Sequence, residues 1–218
     1  PDAITGVITE NGASCNGVCD GDLSVVASGG SDVFTTYAWD DPGAQSTAST
    51  TSTLCAGTFI VTITDDQGCT GTATEDVTEP DPLVVTATSS NASCKSLDNG
   101  SITTSVFGGT GPFNYLWDDV GASTSSGISS LAPGTYTVTV TDNNGCTTND
   151  NAVITEPDTL FYTFDAVTNT TCIGDSDGDI SGTTVGGTPP YTYAWTNGAT
   201  AIEDPTGLSA NTYTLTLT

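Results

Sequence analysis

The sequence has no histidine and no methionine, and its one basic residue, Lys95, faces 26 acidic ones, for a formal net charge of −25. With no His or Arg and one Lys, the side chains that usually supply general-base, oxyanion and phosphate chemistry are missing, so no enzyme is expected. A surface this acidic repels nucleic-acid phosphates and anionic lipid heads, which excludes both as partners. The apolar runs are only a few residues long, against the ~20 needed to span a bilayer, so no membrane insertion is expected. Nothing at the N-terminus resembles a signal peptide, and with no Met the chain is expected to be a mature or excised segment of something longer.

What is present is β-like. Val, Ile, Tyr and Thr are abundant and there are three Trp, a composition that separates the chain from disordered acidic tails. Seven Cys in a Lys-poor, Ser/Thr/Gly-rich chain point to an oxidising, extracellular compartment. Zinc is disfavoured, because there is no His and the Cys do not fall into two close pairs.

The chain repeats. Trp39, Trp117 and Trp195 stand 78 residues apart each time, and Cys15, Cys94 and Cys172 keep nearly that step, as do Gly29-Gly30, Gly108-Gly109 and Gly186-Gly187. Thr-Glu-Pro-Asp closes units at Thr78 to Asp81 and Thr155 to Asp158, and Pro1-Asp2 reads as the same motif joined midway. The expected domains are therefore 1-80, 81-157 and 158-218, the last cut short, because Thr218 corresponds to Thr141 and stops five residues before the equivalent of Cys146.

Within a unit the pattern has period two. In the segment 134–141, Tyr136, Val138 and Val140 alternate with Thr, which makes a strand with one buried and one solvated face; Phe59, Val61, Ile63 and Tyr213, Leu215, Leu217 repeat the inward set. Asp20-Gly21, Asn99-Gly100 and Asp177-Gly178 fall where a two-residue hairpin turn with positive φ is expected. No stretch has helical periodicity. The predicted fold is all-β: tandem Ig-like β-sandwich domains in an elongated array.

Cys94 precedes the early strands of its unit and Cys146 follows the last long one, so a Cys94–Cys146 bridge would tie the domain's start to its end. Closing that loop of about 53 residues would contribute about 4 kcal/mol in the chain-entropy account. Cys15–Cys69 is the same pair one unit earlier. Cys19 and Cys55, replaced by Asp98 and Ala132 in the next unit, appear together and are expected to pair. Cys172 is left without a partner.

The ordered set of Cys-x4-Asp/Asn-Gly, Gly-Gly, Pro112 to Trp117 or Pro190 to Trp195, Leu131, Thr141 to Cys146 and closing Thr-Glu-Pro resembles the SprB repeats of large Bacteroidota cell-surface proteins, gliding-motility adhesins among them. Tyr-x-Trp followed by the 134–141 strand is also similar to the PKD type of immunoglobulin-like domain. The first unit departs from the pattern at Val33-Phe34 and in its additional Cys pair. The resemblance implies a cell-surface, outer-membrane-associated location and export by a type IX-like route.

Four other chemistries have candidate residues in the sequence. Paired acids Asp40-Asp41 and Asp118-Asp119 resemble a glycosidase pair, but Thr196-Asn197 replaces them in the third unit and a solvated turn explains them. The Tyr-x-Trp pairs can stack on sugar rings, yet a Trp buried against a disulfide is the preferred reading. Asp175, Asp177 and Asp179 form a fragment of a calcium loop without its closing Glu, so a plain acidic hairpin is preferred and calcium kept as the alternative ligand; junction acids Glu79, Asp81, Glu156 and Asp158 are a second address. Asn91-Ala92-Ser93 and Asn169-Thr170-Thr171 fit the N-glycosylation sequon, and Asp158-Thr159-Leu160 is similar to the O-glycosylation motif of Bacteroidota, with Thr159 the acceptor. The resulting expectation is a stalk or spacer of a surface adhesin, with no required cofactor, whose partners are neighbouring repeats and, through regions outside this segment, surface polysaccharide or motility machinery. Repeats that bind carbohydrate directly are the alternative.

Overall fold

The computed structural model describes residues 2–41 and 48–218, so Pro1 of the half-motif lies outside it. Among these residues there is no helix, and about half of the chain is strand, arranged in small antiparallel sheets. The first repeat supplies β1 (Thr5–Asn11), β2 (Gly21–Ser28), β3 (Phe34–Trp39), β4 (Thr50–Leu54), β5 (Gly57–Asp65) and β6 (Thr70–Val77). The second supplies β7 (Val84–Ser90), β8 (Gly100–Phe107), β9 (Asn114–Trp117), β10 (Gly127–Leu131), β11 (Gly134–Thr141) and β12 (Thr147–Ile154). The third supplies β13 (Phe161–Thr168), β14 (Asp179–Val185), β15 (Tyr193–Trp195) and β16 (Leu215–Leu217).

Sheet orders β1-β2-β4 and β3-β5-β6 recur as β7-β8-β10 and β9-β11-β12, and the third repeat has only the pairs β13-β14 and β15-β16. The alternation of apolar residues with Thr is what commits these segments to strands. In β5, Phe59, Val61 and Ile63 point inward and are almost fully buried, and Val138 and Val140 do the same in β11. β16, which pairs only with β15, is three residues long and its Leu215 and Leu217 are half-buried.

By packing, the chain parts into two compact units, one of Pro1–Thr86, Thr104–Ser125 and Thr137–Asp150, the other of Ala87–Thr103, Ser126–Tyr136 and Asn151–Thr218. In the first, Ile4, Leu23, Val25, Trp39, Leu54, Phe59, Val61, Ile63 and Val77 form one core. In the second, Ile180, Trp195 and Leu208 form a smaller one, with Tyr162 edge-on to Trp195 at 6.0 Å between ring centres. Burial pushes the Tyr162 hydroxyl up to about 12, helped by the nearby Asp204 carboxylate.

The Asp/Asn-Gly steps do not make the expected turns. Gly21 and Gly100 begin strands, and none of Gly21, Gly100 and Gly178 has a positive φ; that conformation falls instead at Gly17, Ser96 and Gly174. Glycine is required for a different reason. A Cβ on Gly21 would lie 2.6 Å from Val77 Cγ1, and one on Gly100 2.6 Å from Ile154 Cγ2, so the closing strand's last apolar residue sits directly over the glycine. A methyl group there must displace a buried side chain in a close-packed core. Gly21→Ala is therefore expected to lower unfolding free energy by about 1–3 kcal/mol. In urea titrations, Gly21→Ala with Val77→Ala should lose less than the two single changes together, since removing the valine methyls relieves the clash.

Candidate functional site

The residues the repeats share converge on two structures, a cysteine-bearing loop and a cysteine-bearing turn. The loop between β1 and β2 is fixed to the end of β6: Ala13 N–H donates to Thr78 O (2.8 Å), and Glu79 accepts from Asn16 Nδ2 (3.0 Å) and Gly17 N–H (2.6 Å). Inside it, Ser14 N–H donates to Asp20 Oδ1 at 2.8 Å. In the second repeat Ala92 N–H donates to Thr155 O, Glu156 takes Ser96 N–H and the Lys95 ammonium, and Ser93 N–H donates to Asn99 Oδ1. In the third, Thr171 N–H donates to Asp177 Oδ1 at 3.1 Å.

The turn is built on a buried carboxylate. Asp142 Oδ1 accepts from Asn144 N–H and Cys146 N–H, both at 2.9 Å, and Oδ2 from Thr110 N–H, also at 2.9 Å. Asp65 repeats this toward Gln67 N–H (3.0 Å), Cys69 N–H (2.8 Å) and Ser31 N–H (3.3 Å). Both aspartates are only 3% exposed, and the backbone donors offset the cost of burying the charge. Sequence reasoning missed these caps. Their signal was present in the Asp65 to Cys69 and Asp142 to Cys146 segments, where Asp, Gly and Cys keep the same spacing.

These loops dictate the disulfides, which differ from the expected set. Cys15 is bonded to Cys146, with Cα atoms 5.8 Å apart, and Cys19 to Cys55; Cys69, Cys94 and Cys172 are free and exposed. The expected Cys15–Cys69 bridge fails because the Cys15 loop is held at the C-terminal end of β6, whereas Cys69 precedes its N-terminal end. Eight strand residues at ~3.3 Å each separate those ends by about 26 Å. Cys94–Cys146 is replaced for the same reason, since the Cys94 loop is fixed to Thr155 and Glu156, just past the C-terminal end of β12, and Cys146 lies just before its start. What brings Cys15 to Cys146 is the turn's amide: Asn144 Nδ2 donates to Ser14 O at 2.8 Å.

The remaining candidates are structural in their contacts. Trp39, Trp117 and Trp195 are 2%, 1% and 9% exposed, and their indole N–H groups donate to Ala48 O, Ser125 O and Ile202 O. The bonded cysteines are half-buried or exposed and none belongs to the Trp39 core, so no disulfide backs that indole as expected. Asp40 and Asp118 accept from Ile60 N–H and Thr137 N–H, and Asp119 accepts from Ser123, so Asp118 and Asp119 engage separate backbone segments. Among the described residues no group of three or more acids, Cys or His is placed to hold a metal. Asp177 and Asp175 accept from Thr171, and Asp179 from Gly207 N–H at 3.4 Å, so the three are not brought together. Glu79 and Glu156 are loop caps. Thr159, Asn91 and Asn169 are exposed.

A cavity of about 470 Å³ in the second unit is lined by Phe164, Val167, Gly178, Ile180, Leu208 and Tyr213 among others. Gly178 is the equivalent of Gly21 and Gly100, over which Val77 and Ile154 sit in the other repeats. In the third repeat the atoms that a Cβ on Gly178 would meet first are backbone ones, Leu208 O at 2.9 Å and Thr168 O at 3.1 Å, and not a closing-strand side chain.

The caps give stability a sign with pH. Backbone N–H donors, Thr110 first, hold the Asp142 carboxyl below its usual 3.8. Ser14 does so for Asp20, Ser123 for Asp119, Lys95 for Glu156 and Thr171 for Asp177. A carboxyl depressed in the folded state stabilises fully above its unfolded value, and that contribution is lost as pH falls through the folded one. The melting temperature should therefore hold between about pH 7 and 5 and fall below about pH 4. Asp142→Asn should lower it by several degrees at neutral pH and make the acid fall shallower in calorimetric scans. An unchanged acid limb would contradict the cap.

In sequence, no curated protein matches the chain. In structure it is similar to the three N-terminal domains of the bacteriophage RB49 highly immunogenic outer capsid protein Hoc, at 16% identity and TM-score 0.52 over 88% of this chain and 75% of that one. Weaker likenesses are the N-terminal eight Ig domains of Down Syndrome Cell Adhesion Molecule (12% identity, TM-score 0.36, 80% and 26% covered) and the amphioxus IgVJ-C2 molecule (16%, 0.29, 71% and 91%). The Ig-like fold class rests on the first of these. Residues 86–122 and 165–200 match the SprB repeat, each segment spanning a cysteine loop, the glycine pair and the Tyr-x-Trp strand, so these two segments are what the chain shares with that family.

Proposed function

We propose that the chain is a stalk segment of an extracellular adhesin, supplying length and stiffness rather than a binding site. The observation that carries this reading is that the positions common to the repeats, namely the Trp, the capped loop, the capped turn and the glycines under the closing strand, are occupied in folding and linking the repeats. SprB repeats occur in cell-surface proteins, and both they and Ig-like sandwiches are non-catalytic kinds of domain. Among the described residues no helix is long and apolar enough to cross a membrane.

On this reading the repeats are 1-80, 81-157 and 158-218, joined by short Glu-Pro-Asp links in which proline limits swing. The wider setting is a gliding-motility type of surface filament exported by a type IX-like route, with the binding tip elsewhere on the same polypeptide. Buried indoles support a spacer over direct sugar stacking. In cells displaying the parent protein, in-phase deletion of residues 81–157 should shorten the surface fibre and leave adhesion nearly unchanged. Adhesion falling in proportion to the repeats removed would show that the repeats themselves bind.

A further inference from the structure

The Cys15–Cys146 bond joins the loop of one repeat to the turn of the next. Every free cysteine of the chain occupies one of those two positions. Cys94 and Cys172 stand in the loop, and Cys69 stands in the turn. Each is already in the form that the bonded pair adopts. The loops are closed by Ser93 on Asn99 and Thr171 on Asp177, as Ser14 is on Asp20. The Cys69 turn carries the Asp65 cap, a Gly68 at φ 81° beside Gly145 at 88°, and Gln67 where Asn144 supplies the amide that reaches Ser14 O.

We propose that these three thiols are half-sites of a repeat-to-repeat disulfide ladder, each loop cysteine taking the turn cysteine of the following repeat. In a longer array Cys94 would take the turn cysteine of a completed third repeat, Cys172 that of a repeat after it, and Cys69 the loop cysteine of a repeat before it. The ladder rests on the tandem reading above, but it concerns connectivity and not adhesion. Each rung forms by thiol–disulfide exchange with a small-molecule disulfide. One protein thiolate attacks it, releasing one small thiolate and leaving a mixed disulfide; the second protein thiolate displaces the other small thiolate. Two protein thiols are oxidised and one small disulfide is reduced to two thiols.

The test extends the whole chain after Thr218 with a second copy of residues 142–154, which completes the third repeat in the register of the second. The protein is refolded in a glutathione redox buffer and mapped by non-reducing proteolysis and mass spectrometry. The appended turn cysteine should be bonded to Cys94, in the same molecules that carry Cys15–Cys146, with Cys172 capped by glutathione. In the unextended chain, Cys69, Cys94 and Cys172 should all carry glutathione and none should pair with another. Cys94→Ser should leave the appended cysteine capped rather than move it to Cys172. An appended cysteine bonded to Cys172, or capped while Cys15–Cys146 forms, overturns the ladder, as does a chain in which Cys15–Cys146 itself fails to form. None of these outcomes touches the adhesion result, so the ladder and the stalk reading fail separately.

Discussion

An eight-residue strand lies between the turn cysteine and the place where its own repeat's loop cysteine is held. The loop is bound to the strand's far end by Ala13 on Thr78 and by Glu79 on Asn16 and Gly17, and the turn is bound to the near end by Asp65. Two cysteines so placed cannot meet, whatever the benefit of closing the loop between them. Each must look outside its repeat. That Cys15 is not linked to Cys69, nor Cys94 to Cys146, follows from that one separation.

The same caps explain how a chain with 26 acidic residues and one basic residue folds without ion pairs to spread its charge. Among the described residues the only salt bridge is Lys95–Glu156. The carboxylates instead accept backbone N–H groups in loops and turns that strands leave unsatisfied, which places each charge against several fixed dipoles. Asp65 and Asp142 carry this furthest, being buried with three backbone donors each. Acidity is thus part of the architecture of the repeat ends as well as a property of its surface.

The strands were legible because their information is local. The alternation at 134–141 predicts β11 to the residue, and the Trp spacing finds three buried indoles. The glycines of the Asp/Asn-Gly steps were legible as required but not as to why, since a sequence does not distinguish a glycine needed for φ from one needed under Val77 or Ile154. The Cys19–Cys55 pairing is legible in the sequence and the other two are not, because order along the chain, start and end of a unit, is not proximity in the fold. Which end of a strand a loop is held to depends on Glu79 and Glu156, residues that looked like linker acids and are instead the loops' anchors.

The linkage also has a mechanical consequence for a stalk. A bond between residues 131 apart removes roughly 430–470 Å of chain from the length that tension can pull out. All of this rests on one covalent assignment, and the direct measurement is non-reducing peptide mapping of the unaltered 218-residue chain after oxidative folding. Peptides joining Cys15 to Cys146, with Cys69, Cys94 and Cys172 bonded to no other cysteine of the chain, are the predicted result; peptides joining Cys15 to Cys69 and Cys94 to Cys146 would contradict it.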